Sequence, residues 1–295
     1  METMQFEPMS VGRIFDRAFA IYRNNFLRFI TIVAIIQVPL ALLSIFSNSW
    51  LDVAAPARQR PGFERAMAPQ ETRPTAPRYD PGDRPPLLPG CLGTVFTGLL
   101  TVVGLMLCQA ALIKSVSETY LGNEITIGQA YGFVLPRSLT LVAAAICVTL
   151  VTWLGLLLLV VPGVIFSLWF FLTVPAIVVE NHSATNGMSR SKALVAGNLG
   201  KVFAVMLLAV AITVVVSISL GSLAGFVARA LFASNMALRS FLVDFASTVS
   251  QILVAPVSAA ASILLYYDLR VRKEGFDLQM LAQSMTSPQG ELRAS

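Results

Sequence analysis

The sequence predicts an all-α integral membrane protein with about six transmembrane helices. Of its 295 residues, 56% are hydrophobic and only 13% are charged, whereas soluble proteins carry roughly 25% charged residues. Four stretches lack charged residues and histidine, and each is long enough to cross a bilayer: 92–113, 138–179, 202–228 and 245–267. A fifth apolar stretch runs from Phe29 to Trp50. Because the stretch 138–179 is long enough for two crossings, the five stretches give six spans.

The boundaries of the spans follow from where the apolar stretches begin and end. Pro162-Gly163 lies near the middle of the longest stretch and has the turn chemistry that would fold it into a tight hairpin. The predicted spans are 26–47, 92–114, 138–161, 164–180, 202–226 and 245–267. Cys91, Cys108 and Cys147 lie in or beside these spans, and we interpret them as small packing residues.

The distribution of basic residues predicts which side of the membrane the ends of the chain occupy. In the six-span arrangement, thirteen basic residues fall on one side: Arg13, Arg17, Arg23, Arg28, Lys114, Arg137, Arg190, Lys192, Lys201, Arg270, Arg272, Lys273 and Arg293. Because basic residues concentrate in short cytoplasmic connections, both termini are expected in the cytoplasm. This placement also explains the net charge of +5, so a nucleic-acid partner is not expected.

The segments between the spans differ in character. The segment 48–91 is rich in proline and arginine, which is typical of a disordered external loop, with a docking sequence for an external partner as the alternative. The segment 227–244 is amphipathic and is expected on the outer surface. The segments 115–137 and 181–201 are expected at the cytoplasmic interface, and 268–295 is expected to be a cytoplasmic tail.

Residues 1–25 predict an amphipathic helix that lies in the headgroup plane. Behind Ser10 as a candidate N-cap, one face carries Val11, Ile14, Phe15, Ala18, Phe19 and Tyr22, opposite Arg13, Asp16, Arg17, Arg23 and Asn24. Similar patterns follow Thr126 and Ser183, so we interpret the chain as three repeats of an interfacial helix plus a helical hairpin. A comparison of the first and third units pairs Arg17 with Arg190, Asn25 with Asn198 and Arg28 with Lys201.

The fifth span predicts a close contact between helices. Small side chains recur there at every fourth position: Ala209, Thr213, Ser217, Gly221 and Gly225. Such a face lets two helix backbones approach closely within a membrane, and the sixth span is the expected partner. A polar pathway for a substrate is the alternative interpretation. We interpret the prolines within the spans as ordinary for membrane helices, with helix breaks around a substrate site as the alternative.

An enzymatic function is not expected, because the groups that carry common reactions are missing. His182 is the only histidine, which excludes the zinc motifs that need two. Motifs for nucleotide binding or for a serine nucleophile are also missing. The spans carry no charged side chain near mid-membrane, so a proton relay is not predicted. Neither a cofactor nor a metal is expected. Glu180 and His182 could form a titrating pair, although a structural role is the favoured interpretation.

Three blocks of the sequence resemble a known family. They are SVGRIFDRAFAIYRNNF, PGVIFSLWFFLTVPAIVVENHSATNGMSRSKALVAGNLGKVF and LLYYDLRVRKEGFDL. They are similar to the membrane domain of bacterial glycerophosphoryl diester phosphodiesterases, which also occurs in a free-standing form. The resemblance implies six spans in a bacterial cytoplasmic membrane, but not phosphodiesterase activity, because the catalytic domain has no counterpart here. The positions that the resemblance highlights are Asp16, Arg17, Pro175, Glu180, Arg190, Ser191, Gly197, Tyr267, Asp268, Arg270 and Glu274.

The leading functional interpretation is a non-enzymatic membrane module that contacts anionic lipid headgroups on the cytoplasmic side and supports a partner protein or membrane homeostasis. The candidate headgroup contacts or edge ion pairs are Arg13, Asp16, Arg17, Arg23, Arg28, Glu180, Arg190 and Arg270. The alternative is a permease or lipid-translocating protein with a cavity lined by proline-broken helices. An intramembrane enzyme is a third class, for which we find no nucleophile and base. The sequence carries no signal for a particular protein partner or oligomeric state.

Overall fold

A computed structural model describes residues 9–54, 87–233 and 235–274 of the chain. All of the regular structure in these ranges is helical, which confirms the predicted all-α fold. The helices are α1 (Val11–Asn24), α2 (Phe26–Ala54), α3 (Leu87–Tyr120), α4 (Ile127–Val134), α5 (Ser138–Leu158), α6 (Val160–Phe170), α7 (Thr173–Glu180), α8 (Ala184–Val195), α9 (Leu199–Leu231) and α10 (Met236–Glu274).

Six segments of the described chain are long and apolar enough to cross a membrane, which is the predicted number. They are Phe26–Ser44, Thr97–Tyr120, Ile127–Leu158, Val160–Glu180, Leu199–Leu231 and Leu238–Glu274. The third segment combines α4 and α5, and the fourth combines α6 and α7. Each of the other four lies within one long helix. The chain is therefore a multi-pass membrane protein.

The chain divides into two compact units. One unit comprises Met1–Val38 and Val103–Ser295, and its core contains the fully buried side chains of Tyr266, Ile32 and Leu194. The other unit, Pro39–Val102, contains the C-terminal part of α2 and the N-terminal part of α3. The side-chain clusters described below all belong to the first unit.

Three of the short helices, α1, α4 and α8, begin directly after the residues that the sequence pattern indicated. The Ser10 hydroxyl accepts a hydrogen bond from the Arg13 amide at 3.3 Å, and Ser183 caps α8 in the same way. Thr126 and Gln129 form a reciprocal capping box at the start of α4. These caps satisfy amides that have no partner within the helix, which explains why the helices begin where they do.

The order of the helices agrees with three units that each begin with a short helix. Asn25 and Asn198 join a short helix to a long one, and their backbone angles are nearly identical, at φ −124°, ψ 27° and φ −125°, ψ 23°. Three further pairs at the same offset are buried in both units: Ala18 and Ser191, Phe29 and Val202, and Ile32 and Val205. These agreements support the predicted equivalence of the first and third units.

The hairpin between the third and fourth spans turns earlier than predicted. The helix break falls at Leu159, and Pro162 occupies the first turn of α6 instead of the turn itself. Proline fits the first helical turn because its missing N–H would have no partner there. A Cβ atom added to Gly155 would lie 3.0 Å from the Cα atom of Gly163, so these glycines allow α5 and α6 to touch beside the break.

A second helix break separates α6 from α7, and a proline again lies in the first turn of the helix that follows the break. Pro175 is the third residue of α7, as Pro162 is the third residue of α6. Pro39 and Pro256, in contrast, lie inside continuous helices. The prolines therefore mark breaks at two of these four positions.

Several predicted connections are shorter than expected, because the long helices continue past the apolar spans. The predicted external connection 227–244 is mostly helical, since α9 ends at Leu231 and α10 begins at Met236. The predicted tail 268–295 begins as the last two turns of α10, and residues 275–295 lie outside the described residues. In the predicted disordered loop 48–91, helices extend into both ends, and residues 55–86 lie outside the described residues.

The predicted pairing of the fifth and sixth spans is present, but not through its glycines. Helix α9 packs along α10, Ala209 is buried, and the hydroxyls of Ser217 and Ser250 lie 2.9 Å apart. The Thr213 hydroxyl donates to the carbonyl of Ala209 within its own helix. A Cβ atom added to Gly221 or Gly225 would meet nothing within 4 Å, so the prediction of close contact is wrong for these two residues. Neither glycine therefore lies at a close contact between the two helices.

Candidate functional site

Both ends of the described chain meet at one end of the helix bundle, which we call the charged end. The Met9 amide donates to the carboxylate of Asp268 at 2.6 Å, and Lys201 donates to both Asp268 and the Met9 carbonyl. The Arg272 guanidinium also donates to Asp268, at 3.0 Å. Asp268 is only 1% exposed, so these donors replace the water that a buried carboxylate loses. This cluster places the start of the chain beside the end of α10.

A second cluster at this end joins α7, α8 and α10 through Arg190. Its guanidinium donates to both oxygens of Glu180 at 2.8 and 2.9 Å, and to both oxygens of Glu274. Arg270 lies 3.5 Å from Glu180 and 3.4 Å from Glu274. We call Glu180, Arg190, Arg270 and Glu274 the charged network. Fork-shaped pairs of this kind are both directional and strong.

The local sequence explains how the charged network assembles. Helix α7 ends at Glu180, because Asn181 adopts the left-handed conformation at φ 54°, which asparagine tolerates better than most residues. The chain then enters α8, and Arg190 lies on the turn of α8 that faces Glu180. Lys273 donates to the carbonyls of Ala193 and Ala196 at the C-terminal end of α8. A cation at that position is favoured by the helix dipole.

The hydrogen bonds of the charged network favour the charged form of Arg190. Hydrogen bonds to Glu274 and then to Glu180 raise the pKa of Arg190 above its ordinary value, and they outweigh the opposing effect of burial. Glu180 also accepts a hydrogen bond from the Tyr266 hydroxyl and lies 2.7 Å from Nε2 of His182. The predicted contact of Glu180 with His182 is thus present, within a set of contacts that already occupies the carboxylate.

Aromatic side chains connect α1 to this end of the bundle. The Tyr267 hydroxyl lies 2.6 Å from the Ser117 hydroxyl, and the ring of Tyr267 stacks on that of Tyr120 with 5.4 Å between centroids. The Arg17 guanidinium lies 5.1 Å from the centroid of Tyr120, within the range of a cation–π contact. Arg17 therefore contributes to the attachment of α1 to α3.

The predicted site residues separate into two groups. Glu180, Arg190 and Arg270 form ion pairs with one another or with Glu274, as one of the two sequence interpretations expected. The others lie on α1 and at the start of α2: Arg13, Asp16, Arg17, Arg23 and Arg28. Of these, Arg28 is half-buried and the rest are exposed.

One prediction about α1 needs correction. Ile14, Phe15 and Ala18, which were expected to face lipid, are buried in the protein core, and α1 packs against α10. Packing against protein removes these side chains from water, as contact with lipid would. A helix that packs on protein and a helix that lies on lipid therefore have the same amphipathic pattern. Phe19, at 45% exposure, is the part of the predicted apolar face that stays open.

Lys201 and Tyr266 were not recognised as site residues, and the partners of Asp268 were not foreseen. Met9 and Asp268 are 259 residues apart in the chain, and Lys201 and Asp268 are 67 apart. Separations of this length leave no periodic signal in a single sequence. The available signal was the position of Asp268, directly after a fully apolar span.

Six apolar helical spans with a charged end that holds both ends of the described chain define a multi-pass helical membrane protein. The chain belongs to the family described as domain of unknown function DUF7847, whose model matches residues 91–269. No curated protein matches the chain, and no solved structure matches it either. The family match contains Glu180, Arg190 and Asp268, whereas α1 precedes it. The resemblance to the phosphodiesterase membrane domain stays a prediction.

Proposed function

We propose that this protein is a non-enzymatic membrane module of the bacterial cytoplasmic membrane. In this proposal the charged end faces the cytoplasm and contacts anionic lipid headgroups through the arginines of α1 and α2. The module supports a partner protein or the organisation of the surrounding lipid. The observation that carries the proposal is the exposure of Arg13 and Arg17 on a helix that directly precedes a membrane span.

The balance of charge at the charged end supports contact with anionic lipid. Its acidic side chains are largely occupied, because Glu180 and Glu274 bind arginines and Asp268 binds Lys201. Along α1 and the start of α2 the sequence is also predominantly basic, since Asp16 is the one acidic residue between Ser10 and Arg28. Basic residues near an anionic membrane surface each contribute about 1 kcal/mol of attraction.

The same charges support a cytoplasmic position for both termini. Met9 and Asp268 are in contact, so the two ends of the described chain lie on one side of the membrane. The basic residues that flank the spans are concentrated at that end, as the positive-inside rule requires of a cytoplasmic face.

A structural role for the charged network supports the non-enzymatic part of the proposal. Glu180 receives three hydrogen-bond donors besides His182, namely two from Arg190 and one from Tyr266. A general base needs a lone pair that can reach a substrate proton. These contacts hold α7, α8 and α10 together and direct the carboxylate into the protein.

The alternative of a transport pathway along the broken helices has less support. At the break between α6 and α7, Leu172, Thr173 and Pro175 are buried. The Ser191 hydroxyl bridges the break, since it accepts from the Leu172 amide at 3.1 Å and donates to the Trp169 carbonyl at 2.6 Å. The break is therefore filled by protein atoms. A flux or scramblase assay in proteoliposomes addresses this alternative, and solute or lipid transfer above that of empty vesicles would favour it.

The proposed lipid contact is tested in the full-length protein in nanodiscs that contain equal amounts of phosphatidylglycerol and phosphatidylcholine. The variant R13Q/R17Q/R28Q removes three cations from the charged end, and R229Q/R239Q is the matched control at the other end of α9 and α10. We expect the triple variant to lose its enrichment of phosphatidylglycerol by at least fivefold, since the loss of even one cation's contribution of about 1 kcal/mol corresponds to about that factor. Equal enrichment in the triple variant and the wild type would contradict the proposal.

A further inference from the structure

A shallow groove of about 500 Å³ runs along the exposed side of α1 to the first residue of α2. Its lining residues are Asp16, Phe19, Ala20, Tyr22, Arg23 and Phe26. The membrane span of α2 begins at Phe26, so the groove lies where the lipid headgroups meet the hydrocarbon. The groove precedes the segment that matches the family, which begins at residue 91.

The groove contains one carboxylate and one guanidinium that do not bind each other. Asp16 and Arg23 are seven residues apart on one face of α1, which is about 10 Å along the helix axis. Within the described part of the chain, neither forms an ion pair, in contrast to Glu180, Arg190 and Asp268. Arg23 lies C-terminal to Asp16, and because long helical side chains tend to lean toward the helix N-terminus, its guanidinium is within reach of the space beside Asp16. The two charges can thus bind opposite ends of one small dipolar group.

Aromatic side chains form the rest of the groove. The rings of Tyr22 and Phe26 lie 5.2 Å apart, and Phe19 and Phe26 are 45% and 41% exposed. Apolar rings at this depth suit the glycerol backbone and the first part of an acyl chain, while a Tyr hydroxyl stays near water. The groove therefore offers a polar part for a headgroup and an apolar part for a chain.

We propose that this groove binds a zwitterionic aminophospholipid of the ethanolamine type. The Asp16 carboxylate accepts hydrogen bonds from the ammonium group, and the Arg23 guanidinium binds the phosphate. The acyl chain begins against Phe26. This inference rests on the proposed contact with lipid headgroups, and it assigns one lipid class to one site.

The charges of the groove distinguish this lipid from its competitors. A choline headgroup has no N–H to donate, so it gains only the weaker electrostatic attraction of Asp16. An anionic glycerol headgroup presents its phosphate to Arg23 but gains no ion pair from Asp16, and it is repelled by that carboxylate. The side of α1 opposite the groove is fixed by buried Ile14 and Ala18, so little ordering is needed on binding.

The test uses the full-length protein, delipidated in mild detergent and titrated with short-chain phosphatidylethanolamine, phosphatidylcholine or phosphatidylglycerol. Binding is measured by native mass spectrometry. We expect the wild type to bind phosphatidylethanolamine about tenfold more tightly than phosphatidylcholine, because one charge-assisted hydrogen bond contributes about the free energy to which that factor corresponds. The variant D16N should abolish that preference and strengthen phosphatidylglycerol binding, and R23Q should weaken all three lipids.

The matched controls are D244N on α10 and R229Q on α9, which change exposed charges far from the groove. We expect these variants to keep the wild-type preference and all four variants to keep the wild-type unfolding midpoint. Equal affinity of the wild type for the ethanolamine and choline lipids would overturn the proposal, as would a preference that survives in D16N. Failure of the broader proposal is distinguishable, because it appears as unchanged phosphatidylglycerol enrichment in R13Q/R17Q/R28Q, in which the groove charges are intact.

Discussion

Replacing Arg190 with glutamine should destabilise the charged end more than any other single neutral substitution in the charged network. Arg190 donates two hydrogen bonds to Glu180 and two to Glu274, and its loss leaves both carboxylates without their main partner. Removing one partner of a buried ion pair costs about 3–5 kcal/mol. The side chains here are 15–26% exposed, so water compensates for part of the loss. We therefore expect a decrease of about 2–4 kcal/mol in the free energy of unfolding.

The assay is equilibrium unfolding of the purified protein in mixed detergent micelles. R190Q is compared with R190K, which keeps the charge but loses the fork-shaped geometry, and with E180Q and the double variant E180Q/R190Q. R190K should lose about half as much stability as R190Q. In the double variant the loss should be smaller than the sum of the two single losses, since both remove the same interaction.

Two results would refute this reasoning. One is a loss below about 0.5 kcal/mol for R190Q, which is the size expected of an exposed surface pair. The other is strict additivity of E180Q and R190Q, which would mean that the two side chains do not act together in the membrane-embedded protein. The exposed control R229Q should change the free energy of unfolding by no more than about 0.5 kcal/mol.

Three other substitutions test separate parts of the fold. G163A should lower the free energy of unfolding by about 1–3 kcal/mol, because the new Cβ atom would lie 2.7 Å from the backbone nitrogen of Leu156. S191A should cost about 1–3 kcal/mol, since the buried Leu172 amide loses its acceptor. D268N should cost about 3–5 kcal/mol and should speed hydrogen exchange at Met9, whose amide donates to that carboxylate.

Each of these predictions has a matched control elsewhere in the chain. G221A adds a Cβ atom that meets nothing within 4 Å, S219A removes an exposed hydroxyl, and D244N neutralises an exposed carboxylate. Equal losses in G163A and G221A would contradict the close packing at the α5–α6 hairpin. If S191A were as stable as S219A, the hydroxyl bridge would be unimportant. Unchanged exchange at Met9 in D268N would exclude the proposed anchoring of the N-terminal segment.

Features set by neighbouring residues could be predicted from the sequence. The N-caps at Ser10, Thr126 and Ser183 are examples, because the side chain, the amide that it accepts from and the following apolar pattern all lie within one turn. The number of spans is also local, since it depends on the lengths of apolar stretches.

Features that depend on contacts with other parts of the chain could not be predicted in this way. Pro162 is compatible with a tight turn between helices and also with the first turn of a helix. The structure has the latter, together with the glycine contact between α5 and α6. Ile14 could face lipid or protein with the same periodicity, and only the position of α10 decides. The anchoring of Met9 by Asp268 needs a pairing across the whole chain, for which one sequence holds no record.

The central proposal is that the charged end, where Met9 contacts Asp268, lies on the cytoplasmic side of the membrane. The most direct measurement is labelling of single-cysteine variants in intact cells with a membrane-impermeant maleimide, in a background where the native cysteines are replaced. Positions 10 and 272 should both be protected in intact cells and labelled after permeabilisation, and position 235 should be labelled in both. Labelling of position 10 or position 272 in intact cells, or of the two on opposite faces, would contradict the account.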